Sequence, residues 1–387
     1  MKLKTIKQVK NLKGKRVLLR VDFNVPLKNE KVEDDFRIKA GLATIKYLLS
    51  RGASIIILSH LGRPAGKVVP ELSNRPVSQR LSKLLNKKVV QLNEVVGSMV
   101  ERVTGQLKPG QIIMLENVRF HPREEINCQR LAKTLASDVD LYVNDAFAVC
   151  HRQAASISAI TKYLPSYAGL LLEKEVENLS KVLESRIQPK VAIIGGVKIE
   201  TKVKVIKNLL NKMDYVLVGG AVANNVLMQM NYKVGLSLVN KTQLKITKSI
   251  LYNKLKYPLD VVVAKSRKKN AESQIKAVGK IEKNDIILDI GPDTVELYSN
   301  YLKKSKLVVW NGPMGYFEIS KYKKSSQEIA EAIAKSKAYS IVGGGETVEL
   351  IKDLKLIKKF NFVSTGGGAM LEFLEGKVLP GIRPLLQ

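Results

Sequence analysis

Cysteine is nearly missing from this chain of 387 residues. Cys128 and Cys150 are too few for a disulfide framework and form no C-x-x-C pair, which suits a reducing compartment. Aromatic residues make up only 6%, and no zinc-finger spacing or RNP-type aromatic motif interrupts the lysines. No apolar run approaches the ~20 residues that span a bilayer. The basic start MKLKTIKQVKNLKGK lacks the apolar stretch of a secretory signal, so a cytoplasmic location is expected. Two nucleotide fingerprints are missing as well. GRPAGKV (62–68) has the wrong spacing for G-x-x-x-x-G-K-[ST], and GGGETV and GGGAML both lack the last glycine of G-x-G-x-x-G. A P-loop NTPase and a Rossmann dehydrogenase are both disfavoured.

Acid is the other shortage. Against 65 lysines and arginines stand 35 aspartates and glutamates, a net charge of +30. Such an excess suits nucleic acid, or a solvated lysine-rich surface whose field draws small anions. Lysines spread along the whole chain favour the second, and nucleic-acid binding stays as the alternative. The 45% apolar content is that of a folded protein. The length exceeds one ordinary core, so two domains of roughly 150–200 residues are expected. Between them YAGLLLEKEVENL, Tyr167 to Leu179, reads as a hinge helix. Leu172, Val176, Leu179 and Leu183 form its apolar stripe, and Glu173, Glu175 and Glu177 fall where the helix dipole favours negative charge.

In the first half, four runs read as strands that turn polar at their carboxyl ends. RVLLRVDFNV (16–25) delivers Asp22 and Asn24, two apart and so on one side of a strand. In the helix that follows, Ile38, Leu42, Ile45 and Leu49 recur on one face, Arg37 sits at the mouth, and Asp34 and Asp35 are cap candidates. ASIIILSHLGRP delivers His60, then Gly62 and Arg63. IIMLENVRFHP delivers Asn117 and Arg119. DLYVNDAFAVCHR delivers Asn144 and Asp145, with His151 and Arg152 beyond. Helical segments such as Val77 to Leu85 lie between, and this alternation predicts a parallel sheet with a ligand past its strand ends. A single strand-end arginine is more often a surface ion-pair partner, and a lone His60 a structural residue. Several converging arginines require an anion between them, and the guanidinium fork suits phosphate and carboxylate. The expected ligand is small and multiply anionic, with Asp22 and Asn24 available to a hydroxyl.

The second half carries seven strand-like runs, most ending at glycine: VAIIGGVK, YVLVGGAV, DVVVAK, DIILDIGP, LVVWNGPMG, YSIVGGGET and FNFVSTGGGAM. Any one of these is ordinary turn chemistry. Two triple-glycine turns, GGGET (343–347) and TGGGA (365–369), precede helical patterns, and two further GG turns accompany them. Together they point to nucleotide phosphates held by backbone N–H groups. Lys198 and Lys202, four apart after Gly195–Gly196, would share one face of a helix start. They read as phosphate ligands or as surface lysines.

At this point the chain resembles the phosphoglycerate kinase family from end to end. The residues are RVDFNVP (20–26), DDFRI (34–38), SHLGRP (59–64), LENVRFHP (115–122), NDAF (144–147), GGVKIETK (195–202), WNGPMGYFE (310–318), IVGGGET (341–347) and STGGGAMLEFLEGKVLPG (364–381). The resemblance implies an α/β chain of two doubly wound, Rossmann-like parallel-sheet domains. They would comprise 1–166 for the triose and 185–374 for the nucleotide, a hinge helix at 167–184 and a tail, 375–387, packing back on the first domain. The implied activity is reversible transfer of a phosphoryl group from 1,3-bisphosphoglycerate to ADP, giving 3-phosphoglycerate and ATP, with Mg²⁺, in a monomer. Asp22, Asn24, Arg37, His60, Arg63, Arg119 and Arg152 would bind the triose. Gly195, Lys198, Lys202, Gly220, Asn311, Glu318, Gly344, Gly345, Glu346 and Thr347 would contact the nucleotide, with Glu346 near its metal. Arg37, Lys198, Gly367 and Gly368 would surround the moving group. A sensor that binds nucleotide without turnover is the rival reading. The chain departs from the family pattern at Glu346, usually aspartate, and at Ala221, Ala154 and Thr201.

Overall fold

The computed structural model describes residues 1–240 and 253–387. They form two compact units, Met1–Glu177 with Val378–Gln387, and Asn178–Lys377. The first unit contains β1 (Arg16–Arg20), a small hairpin of β2 (Leu27–Lys28) and β3 (Lys31–Val32), then β4 (Ser54–Leu58), β5 (Val89–Gln91), β6 (Ile112–Met114), β7 (Leu141–Asn144) and β8 (Ser166–Ala168). Its six-stranded sheet runs β5-β6-β4-β1-β7-β8, every pair parallel. The order turns back at β1, with β4 on one side and β7 on the other. In open parallel sheets ligands sit beyond the strand ends at such a point. Helices α1 (Phe36–Ser50), α2 (Arg75–Leu85), α3 (Ser98–Gly105) and α4 (Gln129–Leu135) accompany the sheet.

Both faces of this sheet are dry. Val17, Leu19, Ile55 and Ile57 belong to one apolar cluster, while Leu18, Ile56 and Leu58 belong to another. The alternation is the two-residue period of a strand, and apolar residues on both faces explain why these runs are continuously apolar. The last residues complete this unit. Leu386 pairs with Leu3, Lys4 N–H donates to Leu385 O (2.7 Å), and Gly381 N–H donates to Cys150 O (2.9 Å).

The second unit contains β9 (Lys190–Ile194), β10 (Tyr215–Val218), β11 (Leu255–Lys256), β12 (Asp260–Ala264), β13 (Ser273–Ala277), β14 (Ile286–Ile290), β15 (Leu307–Asn311), β16 (Tyr339–Gly343) and β17 (Phe362–Val363). Six of them form a parallel sheet, β11-β10-β9-β15-β16-β17. Its helices among the described residues are α6 (Val203–Lys212), α7 (Gly220–Gln229), α8 (Pro292–Lys304), α9 (Lys324–Lys335), α10 (Gly345–Asp353) and α11 (Gly368–Leu374), counted after the linking α5 (Leu170–Glu184). The runs DVVVAK and DIILDIGP do not join this sheet. As β12 and β14 they build, with β13, a separate antiparallel sheet. Their β-branched composition is shared by both kinds of sheet, so composition could not separate them.

Helix α5 begins at Leu170 rather than at the expected Tyr167, because Tyr167 and Ala168 belong to β8. Its start is set by capping from elsewhere in the first unit. Leu171 and Leu172 N–H both donate to Asp145 Oδ1 (2.9 and 3.1 Å), and Leu170 N–H donates to Thr44 Oγ1 (2.9 Å). Burial pushes the Asp145 carboxyl up to about 6 against these donors. Leu172, Val176 and Leu179 are buried as expected, but Val182 rather than Leu183 completes the buried stripe. No helix among the described residues is long and apolar enough to cross a membrane.

Candidate active site

In the first unit the strands stop sooner than their sequence suggests. β1 ends at Arg20, so Asp22 and Asn24 lie past the ladder, where alternation no longer fixes their side. Asp22 is buried and Asn24 exposed. The two stay connected: Asn24 N–H donates to Asp22 Oδ1 (3.1 Å), and Gly62 N–H donates to Asn24 Oδ1 (2.9 Å). Arg37, second residue of α1, donates its guanidinium N–H to Asp22 Oδ2. Of the two cap candidates, Asp34 accepts from Phe36 N–H (2.9 Å), whereas Asp35 turns to Lys39 and Arg80 and gives no side-chain cap.

Burial alone would raise the Asp22 carboxyl. Arg37, followed by His60, Asn24 N–H and Arg20, outweighs it and holds the group below the ordinary carboxylate range. His60 is 3% exposed. Burial, then Arg20, Arg119 and Arg37, press its pKa well below the usual value against the pull of Asp22, so the imidazole is neutral at pH 7. Arg20 Nη2 lies 3.4 Å from His60 Nδ1. A guanidinium only donates, so Nδ1 accepts and the ring proton sits on Nε2.

Arg119 Nη1 donates to Gly62 O (2.7 Å), and its Nε lies 3.2 Å from Glu125 Oε1. Arg152 Nη1 lies 3.7 Å from the same oxygen. Arg63 is exposed in the turn beside Gly62. Arg20, Arg119 and Arg152 line one cavity of about 290 Å³ together with Glu124 and Glu125. Arg20 was not among the expected residues. It is fully buried, and its Nε donates to Ser156 Oγ (2.9 Å), which in turn donates to Glu124 Oε1 (2.6 Å). The sequence signal was a lone arginine closing the apolar run RVLLR. Ala154, at one of the departures, packs into an apolar cluster with Ala146, Val149 and Ile157.

In the second unit, glycine turns rather than guanidiniums follow the strand ends. Beyond β9, Gly196 N–H donates to Pro313 O (2.7 Å), and beyond β10, Gly220 N–H donates to Met314 O (2.6 Å). Gly196 and Gly220 have φ of +84° and +56°, which glycine adopts without strain. Gly312 N–H donates to Thr347 Oγ1 (2.9 Å), and Asn311 is buried at the end of β15. Gly344 has φ +100° and precedes α10, whose first residues are Gly345 and Glu346; Gly367, φ +49°, precedes Gly368 at the start of α11. A cavity of about 190 Å³ is lined by Gly196, Gly220, Leu288, Met314, Tyr316 and Glu318.

Lys198 and Lys202 do not share a helical face. Helix α6 begins at Val203, and residues 200–202 form a turn. Lys202 is buried and its Nζ donates back to Gly195 O, while Lys198 is exposed. Burial lowers the Lys202 ammonium to about 8, with Glu346 opposing. Glu346 itself is raised, by loss of surrounding water and by Glu318, while Lys202 and Lys198 pull the other way.

Two parallel-sheet units, one with guanidiniums clustered past its strand ends and the other with glycine turns and lysines, define a two-domain α/β phosphotransferase. The comparisons with known proteins narrow that class. The family model described as phosphoglycerate kinase matches residues 6–377. The phosphoglycerate kinase of Dictyoglomus turgidum is 49% identical over 383 residues, 97% of this chain and 96% of that one. Its counterpart from Moorella thermoacetica is 46% identical over 382 residues, 97% of each. The structure of phosphoglycerate kinase from Coxiella burnetii matches with a TM-score of 0.87 at 40% identity, over 99% of this chain and 98% of that one. The chain belongs to the phosphoglycerate kinase family, glycolytic kinases whose phosphoryl acceptor is a carboxyl group.

Proposed function

We propose that the chain transfers a phosphoryl group directly between 1,3-bisphosphoglycerate and ADP, with the triose on the arginine-rich edge and the nucleotide on the glycine-rich edge. The observation that carries this is the cavity shared by Arg20, Arg119 and Arg152, with Asp22, Arg37 and neutral His60 linked beside it. Three guanidiniums suit the phosphate of a triose. Asp22, Asn24 and His60 Nε2–H suit its hydroxyl and carboxyl groups, and Arg63 adds positive charge at the rim. On the other edge, Gly195, Gly220, Asn311, Gly344, Gly345 and Thr347 take the nucleotide through backbone and small polar groups, with Glu318 lining the adjacent cavity.

The chemistry needs no general base. A β-phosphate oxygen of ADP bonds to the acyl phosphate's phosphorus as the acyl O–P bond breaks, the acyl part leaves as a carboxylate, and in reverse that carboxylate attacks without losing a proton. What remains is positioning and charge stabilisation of a loose transition state, in line. Arg37, Lys198 and the N–H groups of Gly367 and Gly368 supply it, with Lys202 on the nucleotide phosphates. Turnover then requires the two edges to meet on hinge closure, which also keeps water from both labile phosphates. Among the described residues no cluster of three or more His, Cys, Asp or Glu could hold a metal alone. Mg²⁺ is usually bound by one or two carboxylates together with substrate phosphates, and Glu346, next to Glu318, fits that donor set. The ion, when bound, neutralises phosphate charge. The protein would act in the cytoplasm as a monomer on small molecules.

A coupled assay of ATP formation from 1,3-bisphosphoglycerate and ADP, with and without Mg²⁺, tests this reading. Steady Mg²⁺-dependent turnover is expected. Nucleotide binding with no turnover would instead make the chain a sensor.

A further inference from the structure

The arginine cluster already holds an anion, and it belongs to the chain itself. Glu125 Oε1 lies 3.2 Å from Arg119 Nε and 3.7 Å from Arg152 Nη1, and Glu125 lines the same cavity as both arginines and Arg20. We propose that Glu125 is a tethered counter-ion that occupies Arg119 and Arg152 until the substrate's phosphate displaces it, and so sets how tightly this edge holds its triose. The proposal rests on the assignment of the triose to this cavity.

The adjacent acid shows what Glu125 is free of. Glu124 is 1% exposed, and its carboxylate accepts Ser156 N–H (3.0 Å) and Ser156 O–H (2.6 Å). Its carbonyl accepts Ala155 N–H (2.9 Å). Glu124 is locked and cannot leave without stranding buried donors. Glu125 is 47% exposed, and both its arginine contacts fall on one oxygen. Its side chain can rotate into water without opening the core. Arg119, by contrast, has a second anchor, donating from Nη1 to Gly62 O (2.7 Å).

The exchange favours the substrate for stated reasons. A phosphate ester carries nearly twice the charge of a carboxylate and three acceptor oxygens. It can engage both guanidiniums through different oxygens, where Glu125 offers one. The carboxylate also relieves repulsion between Arg119 and Arg152 in the free protein, so the cluster stays folded without ligand. The cost is competition: every binding event must displace a counter-ion that is always present. A weaker anion than phosphate gains little over Glu125, so the tether selects against singly charged acids.

The test is Glu125→Gln, with Arg152→Gln in parallel, each read by steady-state kinetics and by inhibition with inorganic phosphate. For Glu125→Gln, KM for 3-phosphoglycerate should fall roughly two- to fivefold, the scale of a part-exposed ion pair. The kcat and the nucleotide KM should not move, and inorganic phosphate should inhibit at a correspondingly lower concentration. A purely structural role would not produce that split. Glu125→Ala should behave alike. An unchanged or higher triose KM in both variants, with Arg152→Gln raising it, overturns the role of Glu125 alone. If Arg152→Gln leaves the triose KM unchanged, the assignment of this cavity fails and the proposal with it.

Discussion

The two edges are built by opposite means. The first unit uses long charged side chains held by other side chains: Arg37 on Asp22, Arg20 on Ser156, and Arg119 and Arg152 on Glu125. The second uses main chain, brought close by residues without a side chain: Gly196 against Pro313, Gly220 against Met314. Side-chain sites fail by losing charge, and backbone sites fail by gaining bulk. The contrast can be broken by substitution.

The largest effect is expected on the charged edge. Arg37→Ala should lower kcat by about 10²- to 10³-fold, the scale seen when a group that stabilises transition-state charge is removed. It also leaves the buried Asp22 without its partner, which costs stability. Adding Asp22→Asn should recover the melting temperature but not kcat, separating charge from folding. Full turnover in the single variant would remove Arg37 from the mechanism.

On the backbone edge the corresponding lesion is a methyl group. A Cβ at Gly195 would lie 2.0 Å from Pro313 O and 2.7 Å from Gly312 O, backbone atoms that cannot yield. Gly195→Ala should weaken nucleotide binding about tenfold or more and lower the melting temperature, on the scale of overpacking. Gly345 has nothing within 4 Å of that position, so Gly345→Ala should fold normally. Equal damage from both would show that space is not what the glycines provide.

A third test uses Lys202, a buried cation beside the glycine turns. Lys202, held at about 8 by burial, loses its charge above that pH. Free-enzyme groups govern kcat/KM, so kcat/KM for nucleotide should fall up to about tenfold per pH unit above 8, and Lys202→Arg should flatten the profile. Stability moves the other way. Between about 8 and the ordinary 10.5 the unfolded chain binds a proton that the folded one lacks, so this group's contribution to stability rises with pH. The smallest effect is expected from Glu346→Asp, a shift of only a few-fold in the Mg²⁺ concentration for half-maximal rate. An unchanged titration would place Glu346 away from the metal.

The contrast also explains what could be read from sequence. Strand-end residues such as His60 and Arg119 stood out only together, because several arginines converging past parallel strands are more than one surface ion pair accounts for. The glycine turns were visible as composition. Less visible were positions set by contacts distant in the chain. Arg20 reads as the last residue of a strand, and only the fold puts it 3.4 Å from His60. Lys198 and Lys202 have helical spacing, yet the chain turns before α6 and buries one of them. Helix α5 starts where Asp145 and Thr44 receive its first N–H groups, and neither is near it in sequence. The separate sheet of β12, β13 and β14 eluded reading because strand composition does not record strand direction.

The ten residues Val378–Gln387 have a consequence beyond packing. They complete the first unit although all of the second precedes them, with Leu386 beside Leu3 and Asn144 Nδ2 donating to Gly381 O (3.1 Å). During synthesis the ribosome therefore releases a nearly whole second unit before the first can close on Val378–Gln387. A nonsense codon within 378–387 would wound the half made earliest, not the half made last.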